Sequence, residues 1–137
     1  MMTNSADYAL AIANLKALYC ATADSCALDP EGGRLAFKAL FIDDVIADYG
    51  YGQLIGIAAV AEFLATSIAG ESEWMLHMLH SPQIFASGNT ATGDWSVKVH
   101  SKRRNGTQME IVGRYHDEFH RTRDGWRIAK VTFRQFT

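Results

Sequence analysis

Asp24 and His77 are the two residues of this chain best suited to moving a proton. Asp24 falls near the end of a helical stretch and shares a face with Ala13, Ala17 and Cys20, a narrow apolar stripe. A carboxylate on such a stripe is costly unless it finds a partner. His77 interrupts Trp74-Met75-Leu76-His77-Met78-Leu79-His80, an otherwise apolar run in which His77 and Leu79 point one way, Met78 and His80 the other. A lone histidine there is either a hydrogen-bonded core residue or an acid/base group. His100 and His116, on later runs, add imidazoles that could converge with it. No two of these three histidines have the HxH or HxxxH spacing of a tight ligand set, so no metal is expected.

The elements that must carry these side chains fall into two halves. Good helix formers run from Ser5 through Ala27, with Leu10, Ile12, Leu15, Leu18 and Tyr19 near one stripe, until Asp29-Pro30 breaks them. Pro30 opens a short second helix to about Leu40. Phe41 to Leu54 reads as loop with short strands around Val45 to Tyr51. A third helix spans Ile57 to Ala69, with Gly70 in the position that closes a helix. The second half is β: Trp74 to Phe85, Thr90 to Lys102, Met109 to Arg121 and Trp126 to Phe136. Ser87-Gly88-Asn89, Asn105-Gly106 and Asp124-Gly125 separate them with hairpin chemistry. Helices followed by a meander of strands describe an α+β domain, with helices on one face of an antiparallel sheet.

The Met109–Arg121 run presents two faces. One carries Met109, Ile111, Gly113, Tyr115, Asp117 and Phe119; the other Glu110, Val112, Arg114, His116, Glu118 and His120. The second set suits a solvated face or a polar pocket wall, and alternation does not choose between them. Both sides of the strands carry apolar residues, and the chain has no second helical layer to cover the far side. A homodimer through the sheet, burying on the order of 1,600 Å² or more, is therefore expected.

Composition narrows the classes. The chain has 137 residues, enough for one domain with a real core, taken as 1–137. It is 48% apolar and 20% charged, which excludes disorder, and its formal charge of -2 offers nothing to nucleic acid or an anionic membrane. No apolar run approaches the roughly 20 residues of a membrane span. The N-terminus lacks a basic region and carries Asp7 and Lys16 about its apolar part, so no signal peptide is read and a cytoplasmic location is expected. Cys20 and Cys26, the two cysteines, are expected reduced and buried. Nucleotide-loop, α/β-hydrolase and zincin motifs (GxGxxG, GxxxxGK[ST], GxSxG, HExxH) are missing.

Taken in order, Ile12, Leu15, Tyr19, Asp24, Leu40-Phe41 with Asp43-Asp44, Gly56, His77, Pro82, Gly113-Arg114-Tyr115 with Asp117, and Gly125-Trp126-Arg127-Ile128 resemble the SnoaL-like group of the NTF2-like superfamily over nearly the whole chain. The resemblance implies a cone: three N-terminal helices packed on a strongly curved, mostly antiparallel sheet that encloses a cavity. The superfamily includes scytalone dehydratase, hexachlorocyclohexane dehydrochlorinase, ketosteroid isomerase, polyketide cyclases and non-catalytic members. By resemblance to the first two, Asp24 and His77 would form the dyad that abstracts a proton, with Asp29 a weaker rival for the Asp role because of the extra residues between Asp24 and Pro30, and Tyr49 would polarise substrate through water. His100 would lie near a second cavity histidine. Tyr19, Trp95, Arg114 and His116 join it as candidate substrate-binding residues, and Leu18, Phe41, Phe63 and Phe133 as cavity wall. Val131 departs from the arginine of the dehydrochlorinase, which argues against dechlorination. A lyase or isomerase acting on a small hydrophobic ring compound without a cofactor is implied. The other reading is a non-catalytic binding or accessory domain.

Overall fold

The computed structural model describes residues 5–136. The unbroken helix formers at the start become α1 (Ser5–Ser25). Its buried row is Ile12, Leu15, Lys16, Tyr19, Cys20 and Ala23. Leu10 and Leu18, expected on that row, point outward at 63% and 53% exposure. Leu18 precedes Tyr19 by one residue, about 100° around the helix, which carries it off the sheet. Lys16 takes an interior place instead, and its side chain has no exposure at all.

Asp29 caps α2 (Pro30–Phe37): its Oδ1 accepts the Gly32 N–H at 2.9 Å, and Pro30 occupies the first turn. Then come β1 (Phe41–Asp48), β2 (Gln53–Ile55) and α3 (Ile57–Glu71). Phe41 to Leu54 is thus more regular than expected. β1 pairs in parallel with the last strand, and the register jumps from Phe41↔Ile128 to Ile46↔Lys130. The bulge holds Asp43 and Asp44, both exposed, and interrupts the alternation by which a strand is recognised. Gly70 does not end α3 either. The helix runs through it to Glu71, and Ser72 passes directly into extended backbone. Arg104 finishes the job from the far side of the chain. Its Nε donates to Ala69 O at 2.8 Å, its Nη2 to Ala27 O at 3.2 Å, and its backbone N–H to Glu71 O at 3.0 Å.

The long strands are β3 (Ser72–Ser87), β4 (Thr90–Arg103), β5 (Gln108–Thr122) and β6 (Gly125–Gln135). The sheet runs β2-β1-β6-β5-β4-β3, antiparallel throughout except for β1 against β6. In β3 the pairing slips between His80 and Gln83, where Ser81 takes a positive φ of 53° ahead of Pro82. Such a bulge bends a strand and strengthens its twist. The helices cover the face that carries Trp95, Val97 and Val99 of β4 and Tyr115, Asp117 and Phe119 of β5, all buried. The other face carries Lys98, Glu110, Arg114 and His116. This is the α+β cone implied by the sequence, with a mixed and unclosed sheet.

Two glycines of opposite kind test this packing. A Cβ on Gly113 would lie 2.5 Å from Arg134 O and 2.8 Å from the Phe133 ring, whereas one on Gly70 meets nothing within 4 Å. Gly113→Ala should destabilise by roughly 1–3 kcal/mol. Gly70→Ala should stabilise by about 0.5–1 kcal/mol. Urea denaturation of both variants checks the two signs.

Candidate functional site

Asp24 ends the sheet-facing row of α1 opposite β3, and its carboxylate takes hold of one residue there three times. Oδ1 lies 2.7 Å from His77 Nδ1 and accepts the His77 backbone N–H at 3.0 Å, while Oδ2 accepts the same N–H at 3.2 Å. A carboxylate accepts only, so Nδ1 is the ring nitrogen that donates to Asp24 and Nε2 is the one turned away from it. The two side chains are 19% and 9% exposed respectively, open enough to exchange protons and closed enough to hold geometry. Asp29, the rival, is committed to capping α2.

His77 forms part of the wall of a cavity of about 180 Å³ between α3 and the inner face of β3, β4, β5 and β6. Its walls are mainly apolar: Phe63, Ile68, Met75, Val99, Ile111 and Phe133. The polar groups are few, as in most small-molecule sites. Beside His77 they are Ser67, Gln135 and the phenols of Tyr19, Tyr49, Tyr51 and Tyr115. Tyr19 Oη and Tyr49 Oη lie 2.6 Å apart, and Tyr49 stacks on Phe63 with ring centroids 5.6 Å apart. One hydroxyl of that pair donates to the other, and Tyr19 also hydrogen-bonds Tyr115, so the three phenols form one linked group. Burial holds the phenols of Tyr19, Tyr49 and Tyr115 above the ordinary tyrosine range, so all three remain O–H donors at neutral pH. Burial likewise pushes the Cys20 thiol up to about 12, and both cysteines are free thiols.

Below this floor lies a group that sequence reasoning missed. Lys16 Nζ and Asp117 Oδ2 are 2.6 Å apart with both side chains at zero exposure. The ammonium sits over the rings of Tyr115 and Tyr19, 3.5 and 3.9 Å from their centroids, with Trp95 at 5.9 Å. Burial raises the Asp117 carboxyl above its usual range, against the pull of Lys16. The signal was present in α1, because Lys16 keeps step with Ile12, Tyr19 and Ala23, but a lone lysine on a helix is ordinarily read as solvent-facing.

Of the expected site residues, Asp24, His77, Tyr19 and Tyr49 come together. His100, Arg114 and His116 do not, because β4 and β5 turn them to the sheet's other face. There His100 packs on Trp74 with ring centroids 5.3 Å apart, and His116 Nδ1 lies 2.7 Å from Asp94 Oδ1. Trp95 is on the inner face but lies beneath the floor against Phe119 instead of lining the cavity. Of the expected wall, Phe63 and Phe133 hold, Phe41 stacks on Phe37 in the core, and Leu18 faces outward. Among the described residues no three His, Cys, Asp or Glu side chains are grouped to hold a metal ion, and no helix is long and apolar enough to cross a membrane.

A six-stranded bent sheet roofed by three helices, with a part-polar cavity between them, defines an NTF2-like fold. Residues 5–132 match the model of the SnoaL-like domain, and the chain belongs to that family. No curated protein matches the sequence. Among solved structures the chain is similar to an NTF2-like superfamily protein of Salmonella enterica serovar Typhimurium LT2 (TM-score 0.87, 22% identity, 98% of this chain and 94% of that one). It is also similar to a scytalone dehydratase-like protein of Novosphingobium aromaticivorans DSM 12444 (0.79, 20%, 93% and 83%). A third likeness is to the hexachlorocyclohexane dehydrochlorinase LinA, type 2 (0.79, 15%, 93% and 84%). At these identities the likeness establishes the fold.

The buried pair yields a prediction with a definite pH direction. Lys16→Met strands Asp117 in the core and removes the cation that opposes its rise. A carboxyl whose folded pKa lies above its unfolded value supports the fold below the unfolded value, and that support is lost as pH rises through the folded one. Lys16→Met should therefore cost roughly 3–5 kcal/mol at neutral pH and less in acid. The apolar pair Lys16→Met/Asp117→Leu should recover most of the loss. Denaturation of the three proteins at acid and neutral pH reads both effects.

Proposed function

We propose that this protein is a cofactor-independent lyase or isomerase acting on a small hydrophobic compound of about one ring. The observation that carries this reading is the 2.7 Å contact between Asp24 Oδ1 and His77 Nδ1 beside an apolar cavity. Asp24 holds the Nδ1 proton and keeps the ring in one orientation, so that Nε2 can take a proton from carbon. The negative charge left behind collects on a substrate oxygen. A phenolic O–H of the linked Tyr19, Tyr49 and Tyr115 group stabilises it there, in surroundings dry enough for one hydrogen bond to count. The imidazolium then returns its proton to a leaving hydroxyl or to another carbon. The first outcome is dehydration and the second isomerisation, and attack of the carbanion on a carbonyl of the same molecule would be cyclisation.

The family match and the fold shared with a dehydratase-like protein and a dehydrochlorinase support this class of chemistry. By the resemblance drawn from the sequence, Val131 stands about where the dehydrochlorinase would have an arginine, and that favours a hydroxyl or no leaving group over chloride. The second reading, a binding domain without turnover, draws on the Tyr19–Tyr49 contact itself, which spends one of the two phenolic donors inside the protein.

Proton exchange separates the two readings without knowledge of the natural substrate. A panel of cyclic ketones in deuterated water, followed by NMR, should lose the signals of protons next to the carbonyl in the presence of protein. Asp24→Asn or His77→Ala should slow that exchange by about 10²- to 10⁴-fold with the fold intact. Exchange that persists at full rate in both variants excludes the dyad, and ketone binding without any exchange favours the binding domain.

Two copies of the chain are proposed to pair through the face turned away from the helices. Leu76 and Val112 are 49% and 46% exposed there, on strands that also present Arg114 and His116. A two-fold interface would cover this apolar surface. Sedimentation at micromolar concentration should give twice the 15.2 kDa chain mass, and Leu76→Asp/Val112→Asp should give the monomer. A wild-type protein that sediments only as the monomer removes this assembly and leaves the dyad untouched.

A further inference from the structure

Tyr49, Tyr51 and Phe63 line the cavity beside His77 and also a smaller one of about 100 Å³, whose other walls are Gly52, Gln53 and Leu54. Two of these shared residues are fixed. Tyr49 Oη lies 2.6 Å from Tyr19 Oη, and its ring stacks on Phe63 at an interplanar angle of 16°. Tyr51 has no such anchor. Its side chain makes no hydrogen bond or ring contact among the described residues, and the residue is 86% exposed. The hairpin that carries it is held at both ends. Asp48 and Gln53 pair across β1 and β2, Asp48 Oδ1 accepts the Gly50 N–H at 2.8 Å, and Arg134 Nη2 donates to Asp48 Oδ2 at 3.0 Å. Between those ends Gly50 and Gly52 both take a φ of 102°, and a Cβ on either would meet nothing within 4 Å. Glycine occupies that region freely, so the backbone on each side of Tyr51 has the freedom and the space to swing the ring.

We propose that the smaller cavity is a second subsite, which takes a short apolar arm on the ring compound held beside His77, and that Tyr51 closes over that arm. Of the three residues that divide the two cavities, Tyr51 alone is unanchored, so its displacement is what joins them. The lining of the smaller cavity suits a carbon chain. Leu54, Phe63 and the rings of Tyr49 and Tyr51 make most of it, Gln53 is exposed, and no charged side chain lines it. An arm of a few carbons leaves water for these walls, and each methylene so buried contributes about 0.8 kcal/mol. The polar end of the ligand stays with His77 and the phenols, while the arm runs the other way. The preferred compound is then a ring with a short alkyl substituent, and a bare ring binds less tightly.

This inference rests on the proposed function only in taking the cavity beside His77 as the ligand site. It requires no turnover. The probes are cyclohexanone and its 3- and 4-alkyl derivatives from methyl to butyl, with binding followed by NMR titration. In one of the two series the wild-type affinity should rise roughly fourfold with each added carbon until the smaller cavity is full. Leu54 lines the smaller cavity and not the larger one, which makes it the position to block. Leu54→Trp should fill the space and flatten the series, so that the butyl compound binds no better than the methyl one. Leu54→Phe is the milder substitution should tryptophan disturb β2, and circular dichroism confirms the fold of each. Tyr51→Ala, which removes the cover, should lower the gain per carbon, and Tyr51→Phe should restore it. Three outcomes overturn the inference: no gain in either series, an unchanged gain in a folded Leu54 variant, or an unchanged gain in Tyr51→Ala. All of them read binding alone, whereas the Asp24–His77 dyad is read from proton exchange, so either proposal fails without the other.

Discussion

The seating of α1 against the sheet is the constraint on which everything else depends. A single row of that helix meets the inner strands and delivers Lys16, Tyr19 and Asp24 at successive depths. Since 3.6 residues make a turn, the row cannot be changed at one level without moving the others. The carboxylate at the cavity and the ammonium beneath the floor are therefore set by one rigid-body placement. Asp24 reinforces it from the sheet side by binding the backbone as well as the ring of His77, so β3 and α1 are tied where the proton would move.

Charge is arranged in two layers of contrasting chemistry. Near the opening, Asp24 and His77 are partly exposed and in contact at 2.7 Å. Beneath, Lys16 and Asp117 are fully enclosed, and the phenols between the layers are held in their neutral form by burial. An imidazole on one side and fixed phenolic O–H donors on the other are the principal polar groups the cavity presents. The small volume and mostly apolar walls then limit the occupant to a compound of modest size.

Much of this was legible before the structure, and the omissions have physical causes. The helices and the four long strands were readable because composition, period and turn residues agreed. Asp24 and His77 stood out because each is a polar group in apolar company. β1 was obscured by its bulge, where Asp43 and Asp44 leave the alternating register with β6. The inner face of β5 could not be chosen because Arg114, His116 and Glu118 suit a polar pocket wall as well as a solvated surface. The structure buries the set with Asp117, and the reason lies in Lys16, 101 positions away in sequence. His100 was drawn toward the cavity by the family resemblance, and Arg114 and His116 by residue type, but the pleat of β4 and β5 puts all three on the opposite surface. Pairings between distant side chains leave no local trace, so that part of the site became visible only in three dimensions.

Arg104 has a consequence for how the chain could be rearranged. Its contacts join the β4–β5 turn to the carbonyls that end both α1's loop and α3, so three distant segments meet at one guanidinium. A turn with Asn and Gly at its tip would ordinarily be the place to open a chain for circular permutation or to insert a tag. Here a cut beside residue 104 would release the ends of two helices along with the hairpin. The Ser87–Thr90 turn is tied in a similar way to one helix end, since Arg121 holds Asn89 and also reaches Tyr8 in the first turn of α1.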